Sequence, residues 1–136
     1  MIQIIFGEKG TGKTKRILEL ANRAAAEAKG SVVFIDDDDR YMFDLNLSVR
    51  FINATEYGIT GPKTFFGFLC GIAASDHDLE DVFVDGFLTM VRHDLSTLEE
   101  LFVELEKFTQ HHSIRLTLSV SGAMETLPTF LQKYAV

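Results

Sequence analysis

A single cysteine, Cys70, stands in the chain, so neither an internal disulfide nor a zinc site built of thiolates alone can form. Only 2 prolines occur among 136 residues. With 46% apolar residues and 12 phenylalanines, a disordered, collagen-like or low-complexity chain is excluded. Basic charge is scarce as well: 13 Lys and Arg against 20 Asp and Glu leave a net charge of −7, which argues against a nucleic acid partner, because a phosphate backbone calls for a basic footprint. No apolar run approaches the roughly 18 residues that a membrane helix needs, and the opening MIQIIF has neither the length nor the basic flank of a signal peptide. The expected setting is the cytoplasm, with no membrane partner. What remains is one domain, 1–136, long enough to bury roughly 65–70% of its extended surface without covalent staples.

Ile2–Phe6 is a short apolar run that stops at the glycine-rich stretch Gly7–Gly12. Beyond it Ile17, Leu18, Ala21, Ala24, Ala25 and Ala28 recur at helical spacing as far as Gly30, which predicts strand, loop, helix. Ser31–Ile35 (SVVFI) is apolar and β-branched, as a strand covered on both faces would be, and four aspartates, Asp36–Asp39, end it. The run VRFINA at 49–54 predicts a shorter strand. Pro62 after Gly61 suits a first helical turn, and Phe65, Phe66, Leu69, Ile72 and Ala73 mark one face of the helix it opens. Val82–Val84 is a further apolar run, ended by an Asp85-Gly86 turn. Ser96-x-x-Glu99 has the form of a capping box for a helix that turns Leu98, Leu101, Phe102, Leu105 and Phe108 inward. Ile114, Leu116, Leu118 and Val120 alternate with Arg115, Thr117, Ser119 and Ser121, a strand with one more apolar face, and a short helix is expected near Leu127–Tyr134. Strands alternating with helices, without repeats or a linker, predict an α/β fold of three layers, a mostly parallel sheet with helices on both faces.

Chemistry concentrates in Gly7-Glu8-Lys9-Gly10-Thr11-Gly12-Lys13-Thr14, which satisfies G-x-x-x-x-G-K-[ST], the phosphate-binding P-loop. Glycines let the backbone turn tightly and lay its N–H groups around phosphate oxygens, and the N-terminus of the following helix adds positive dipole. Lys13 is a point charge for the β- and γ-oxygens, and Thr14 offers a hydroxyl to Mg²⁺, a cation that prefers hard oxygen ligands. Lys9, Lys15 and Arg16 gather further positive charge beside the loop. About 70 residues on, Val82-Phe83-Val84-Asp85 supplies the second element, a carboxylate at a strand end able to hold the magnesium's water shell.

Through Gly7–Thr14 and Val82–Asp85 the sequence resembles the P-loop nucleoside triphosphatase superfamily. The resemblance implies the three-layer P-loop fold and ATP with Mg²⁺ as ligands. A strand with a polar end, Ser119 to Ser121, after the Asp85 strand is similar to the RecA-like and AAA-like ATPases, where such a residue would sense the γ-phosphate, and the chain also resembles small stand-alone ATP-binding proteins of that kind. Gly86 stands where many of those ATPases carry a catalytic Glu, so the resemblance implies slow hydrolysis.

The aspartate run leaves alternatives open. A carboxylate of Asp36 or Asp37 can orient an attacking water, or accept a proton from a substrate hydroxyl, and small-molecule kinases resembling shikimate or gluconate kinase place an acidic pair and a nearby Arg, here Arg40, at this point. A solvated turn is the structural alternative. Arg40, Arg92 and Arg115 are each candidates for stabilising transition-state charge. Cys70 is expected in the core, His111-His112 at the end of a helix, where cations suit the dipole, and the Phe65-Phe66-x-Phe68 cluster either in the core or on a self-association surface. The expectation is an ATP-Mg binding protein with slow hydrolysis; the alternatives are a small-molecule kinase and a nucleotide-dependent regulator of a protein partner.

Overall fold

The computed structural model describes every residue from Met1 to Val136. Strands β1 (Ile2–Gly7), β2 (Ser31–Asp36), β3 (Val49–Asn53), β4 (Leu79–Val84) and β5 (Arg115–Ser121) form one sheet. Its order is β1-β5-β4-β2-β3, and every neighbouring pair is parallel. Parallel neighbours cannot be joined by tight hairpins, so the chain must cross over the sheet between strands. Helices α1 (Lys13–Glu27), α2 (Pro62–Ser75), α3 (Phe87–Val91) and α4 (Glu99–His112) supply three of those four crossovers. The link from β2 to β3 carries only a 3₁₀ turn, Met42–Asp44. The result is an α/β fold with a five-stranded, wholly parallel sheet flanked by helices. No helix is long and apolar enough to cross a membrane.

Side-chain alternation divides the interior into two layers. Ile5, Val32, Phe34 and Phe83 point to the face covered by Ile17, Leu18 and Ala21 of α1. Ile4, Val33, Ile35, Val82 and Val84 point the other way, into a larger cluster with Phe65 and Leu69 of α2, Phe87 of α3 and Phe102 and Leu105 of α4. In β5 the apolar set Leu116, Leu118 and Val120 joins that larger cluster. Its polar set is buried too: Thr117 and Ser119 are 3% and 4% exposed, on the α1 face.

Several boundaries differ from those the sequence predicts. α1 stops at Glu27 because Ala28 is already extended, and the chain there must turn so that Ser31 N–H reaches the Asp78 carbonyl. The expected capping box does not form. Ser96 lies in a 3₁₀ turn, Leu95–Thr97, and Leu98 occupies the cap position of α4 without any side-chain cap bond. Burial of Leu98, 1% exposed, fixes the entry to this helix instead, while Glu99 and Glu100 in its first turn suit the dipole. On α2, Phe65, Leu69 and Ala73 are buried, whereas Phe66, Phe68, Cys70 and Ile72 pack only partly against the cluster. Asp85-Gly86 is followed at once by α3, whose Phe87, Met90 and Val91 are buried at helical spacing in a helix too short to register as a periodicity. The closing segment is a 3₁₀ helix, Thr129–Tyr134, after which Ala135 bridges Ile4 and covers the outer edge of β1.

Aromatic rings tie the larger layer together. Phe87 meets Phe65 edge-on at 5.3 Å and Phe102 at 5.8 Å between centroids, and Phe102 also stacks on Tyr134 at 6.0 Å. Phe102 therefore joins α3, α4 and the C-terminal turn. Phe102→Ala is expected to cost about 3–5 kcal/mol, whereas Val103→Ala next to it, at a side chain 47% exposed, should stay within about 0.5 kcal/mol. Urea unfolding of the two variants checks the assignment of this layer as the main core.

Candidate functional site

Because the strands are all parallel, their carboxyl ends share one edge of the sheet. Ile35 pairs with Val84 and Val84 with Leu118, so the next residues, Asp36, Asp85 and Ser119, stand level on three adjacent strand ends. Alternation aims them at the side shared by Phe34, Phe83 and Thr117, the α1 side. The first turn of α1 begins there.

The Gly7–Gly12 loop reaches that turn through two glycines of positive φ, Gly10 at 85° and Gly12 at 86°, the latter capping α1. Residues with a Cβ are strained in this region. Within the loop, the Glu8 carbonyl accepts from Thr11 N–H at 3.3 Å, from Thr11 Oγ1 at 2.6 Å and from Lys13 Nζ at 2.9 Å. The lysine ammonium thus folds back over the loop. Thr14 Oγ1 donates to Asp85 Oδ2 at 3.0 Å, joining the start of α1 to the end of β4. Ser119 Oγ donates to the other oxygen, Asp85 Oδ1, and accepts from Gly86 N–H at 3.4 Å. Both oxygens of a carboxylate that is only 8% exposed are therefore engaged. Of the polar strand end Ser119–Ser121, the Ser119 hydroxyl holds Asp85, and both serines line the cavity, where Ser121 is the exposed one.

Asp36 is 2% exposed. Its Oδ1 accepts from Asp37 N–H at 2.8 Å, and its Oδ2 is buried without any hydrogen-bond partner. Burial above all, then the adjoining Asp37 carboxyl and the charge of Asp85, push its pKa up to about 8. Asp37 lies over Gly86: a Cβ at residue 86 would come within 2.9 Å of Asp37 Cγ, and Gly86 itself has a φ of 75°. Asp38 accepts from Arg40 N–H at 2.9 Å and from Arg40 Nη2 at 3.2 Å. One oxygen from each of Asp36, Asp37 and Asp38 lies within 4.8 Å of the others.

These groups converge on a cavity of about 700 Å³, lined by Lys9, Gly10, Gly12, Lys13, Thr14, Asp36, Asp37, Asp38, Arg40, Asp85, Ser119 and Ser121 among others. A second hollow of about 470 Å³ adjoins the loop at Glu8, Thr11, Arg16, Gly122 and Met124. Gly7 lines this second hollow, where a Cβ would sit 2.9 Å from Thr11 Oγ1. Lys15 lines neither. Of the three arginines singled out, Arg40 alone reaches the larger cavity. Arg92 closes α3 in a left-handed conformation, and Arg115 is at the opposite, amino end of β5, where Asp81 holds it through two bonds of 2.8 Å. Arg115 cannot serve a site at the carboxyl edge. Tyr41 and Thr89 also line the cavity, and only their nearness to Asp36–Arg40 and to Asp85-Gly86 in the sequence hints at it.

No protein-family model matches the chain, and no curated protein matches it.

The raised pKa of Asp36 has a definite sign for stability. A carboxyl that keeps its proton in the folded state up to about 8, but loses it near 4 when unfolded, makes the folded protein less stable as pH rises through that window, by a slope approaching about 1.4 kcal/mol per pH unit. In chelator-treated protein, urea unfolding of the wild type should show stability falling from pH 5 to pH 8. Asp36→Asn, which carries no such proton, should flatten that fall and be the more stable protein at the alkaline end.

Proposed function

We propose that this chain is a P-loop nucleoside triphosphatase that binds ATP with Mg²⁺ and hydrolyses it slowly. The hydrogen bond from Thr14 to Asp85, at 3.0 Å between residues 71 positions apart, carries this conclusion. A hydroxyl at the start of a helix and a carboxylate at a neighbouring strand end are two hard oxygen donors at one point, the donor set Mg²⁺ favours. Donor chemistry and surroundings fit the ion and the phosphates together: Gly10, Gly12, Lys13 and Thr14 share a cavity with Asp85, and the N-terminus of α1 opens there with its unpaired N–H groups.

In this reading the loop amides and Lys13 bind the phosphate chain, the lysine exchanging the Glu8 carbonyl for phosphate oxygens. Thr14 and Asp85 hold Mg²⁺, and Ser119 keeps the Asp85 carboxylate in position. Mg²⁺, when bound, supplies positive charge to the phosphate oxygens. Asp37, lying over Gly86 at the same cavity, orients the attacking water. The second reading, a small-molecule kinase, is favoured by one observation: the cavity extends past the loop to Asp36, Asp38, Arg40 and Tyr41, room for a hydroxyl-bearing acceptor beside a buried carboxyl whose pKa of about 8 suits a general base near neutral pH.

Mg-ATP or Mg-ADP should raise the melting temperature, and Lys13→Ala should remove most of the rise, since a ligand at 100 times its Kd adds about 2.7 kcal/mol to stability. Asp85→Asn should weaken the magnesium dependence of ATP binding more than it weakens metal-free ADP binding. Equal thermal shifts in wild type and Lys13→Ala would remove the phosphate site from the loop.

Single-turnover assays separate the two chemistries. For an ATPase, Asp37→Asn should slow phosphate release by roughly 10²–10⁴ with ATP affinity near wild type, as for a group acting chiefly in the transition state. A kinase would instead show little phosphate release until a hydroxyl-bearing metabolite is supplied, and then ADP formation that is lost in Asp36→Asn.

A further inference from the structure

We propose that the outer edge of β3 is the interface of a two-fold homodimer, in which β3 pairs antiparallel with the β3 of a second copy and one sheet runs through both. The two edges of the sheet differ. The β1 edge is covered by the chain itself, where Ala135 bridges Ile4 and Val136 N–H donates to the Ile4 carbonyl at 3.0 Å. At the other edge β3 pairs with β2 alone, in a register without a bulge from Val49 to Asn53. Apart from that ladder, Val49 N–H donates to the Asn46 carbonyl at 3.0 Å, and no further backbone partner reaches residues 50–52. An open edge presents unpaired N–H and C=O groups, which monomeric proteins blunt with Pro, Lys, a bulge or a covering segment. β3 has no Pro, no Lys and no bulge, and Arg50 is its only charge.

Large apolar side chains flank this strand on both sides in the sequence. Phe43 is 88% exposed, Leu47 wholly so and Tyr57 61%. None of them is a loose end. Asn22 Nδ2 donates to the Asp44 carbonyl at 2.9 Å, Asn46 N–H donates to Asn22 Oδ1 at 2.8 Å, and Leu45 is buried between Phe43 and Leu47. Tyr57 lies against Phe68 of α2, 5.7 Å between ring centroids. The fold therefore fixes three apolar groups in water beside an open edge, an unfavourable arrangement that a partner surface relieves.

Area and charge make a second copy the occupant. Aromatic side chains bury roughly 150–250 Å² each, so Phe43 and Tyr57 at these exposures offer roughly 220–370 Å² between them. Leu47, the half-buried Phe51 and the strand edge carry the total towards the roughly 800 Å² that each partner of a specific interface buries. Copies that each carry a net charge of −7 repel unless they meet where charge is sparse. From Tyr41 to Ile59 only Asp44, Arg50 and Glu56 are charged. Antiparallel pairing about Phe51 is also self-complementary: Phe51 stands opposite its own copy, and the Leu47 end of each strand lies beside the Tyr57 end of the other. The segment that carries Phe43 and Leu47 follows Arg40 and Tyr41, which line the larger cavity, so the contact continues into the cavity wall. This inference does not rest on the nucleotide reading.

Analytical ultracentrifugation of the full chain over a range of concentrations tests the proposal, together with hydrogen exchange of the peptide that holds β3. The wild type should dimerise with a micromolar Kd, and the amides of Val49–Asn53 should exchange more slowly in the dimer than after dilution to monomer. Leu47→Asp and Tyr57→Asp should each weaken the dimer by about tenfold or more, whereas Val103→Asp, at an exposed position of α4, should leave the Kd within about threefold. Leu47 and Tyr57 are exposed, so these variants keep the fold, which an unchanged circular dichroism spectrum verifies. The proposal fails if the wild type is monomeric up to about 1 mM, or if the dimer persists undiminished in both variants. It fails equally if dilution changes exchange along α2 and not in β3, because the copies would then meet on the helix. A monomeric wild type that takes up an added strand-forming peptide at β3 would also overturn it, since the edge would then serve another chain.

Discussion

The Asp85 carboxylate is taken out of water at the end of β4 and held by two hydroxyls, one from the first turn of α1 and one from β5. Burying such a group is unfavourable unless its oxygens are answered, and hydrogen bonds to a charged acceptor contribute about 1.5–3 kcal/mol each. Thr14 reaches it only because the loop turns through Gly10 and Gly12 and starts α1 beside β4. Ser119 reaches it only because β5 lies between β1 and β4. The sheet order is thus what makes the site: insertion of β5 beside β1 brings the loop, the carboxylate and the serine to one place, although they come from opposite halves of the chain.

Charge balance follows from that arrangement. Four carboxyl groups, Asp37, Asp38, Asp85 and the proton-retaining Asp36, share a cavity with three cationic side chains, Lys9, Lys13 and Arg40. Two of those cations are already engaged, Lys13 with a loop carbonyl and Arg40 with Asp38. An acidic protein with such a cavity offers a polyanion little attraction except along the loop, where backbone N–H groups and the α1 dipole act. Whatever neutralises the strand-end aspartates would also lower the repulsion that any anion meets at the loop.

Much of this was legible in the residues. The loop, the order of strands and helices, and Asp85 at a strand end all follow from local patterns, because apolar runs closed by glycine or aspartate mark parallel strand ends directly. Sheet order was not legible, since nothing local says that β5 inserts between β1 and β4. For the same reason Arg115 looked available: only the direction of β5 reveals that it lies at the far end, paired with Asp81. Alternation in β5 showed one more apolar face, but not that α1 would cover the other, burying Thr117 and Ser119 as well. The false capping box at Ser96 shows the same limit. A buried leucine, not a side-chain cap, decided where α4 begins.

Gly86 draws these threads together. The resemblance to P-loop ATPases marks it as the place where many of them carry a Glu. In three dimensions the same glycine is required twice, once by a φ of 75° and once because a Cβ would press within 2.9 Å of the Asp37 carboxyl carbon. A side chain at 86 and the carboxylate of Asp37 are therefore alternatives for one volume of space. The adjacency of β2 and β4 puts them there, since Ile35 pairs with Val84 and both chains leave the sheet at the same level. The acidic group at this position comes from the neighbouring strand rather than from the residue after Asp85. Displacing it by restoring a side chain at 86 would cost both the turn and the carboxylate, so glycine at 86 and aspartate at 37 must be read as one unit.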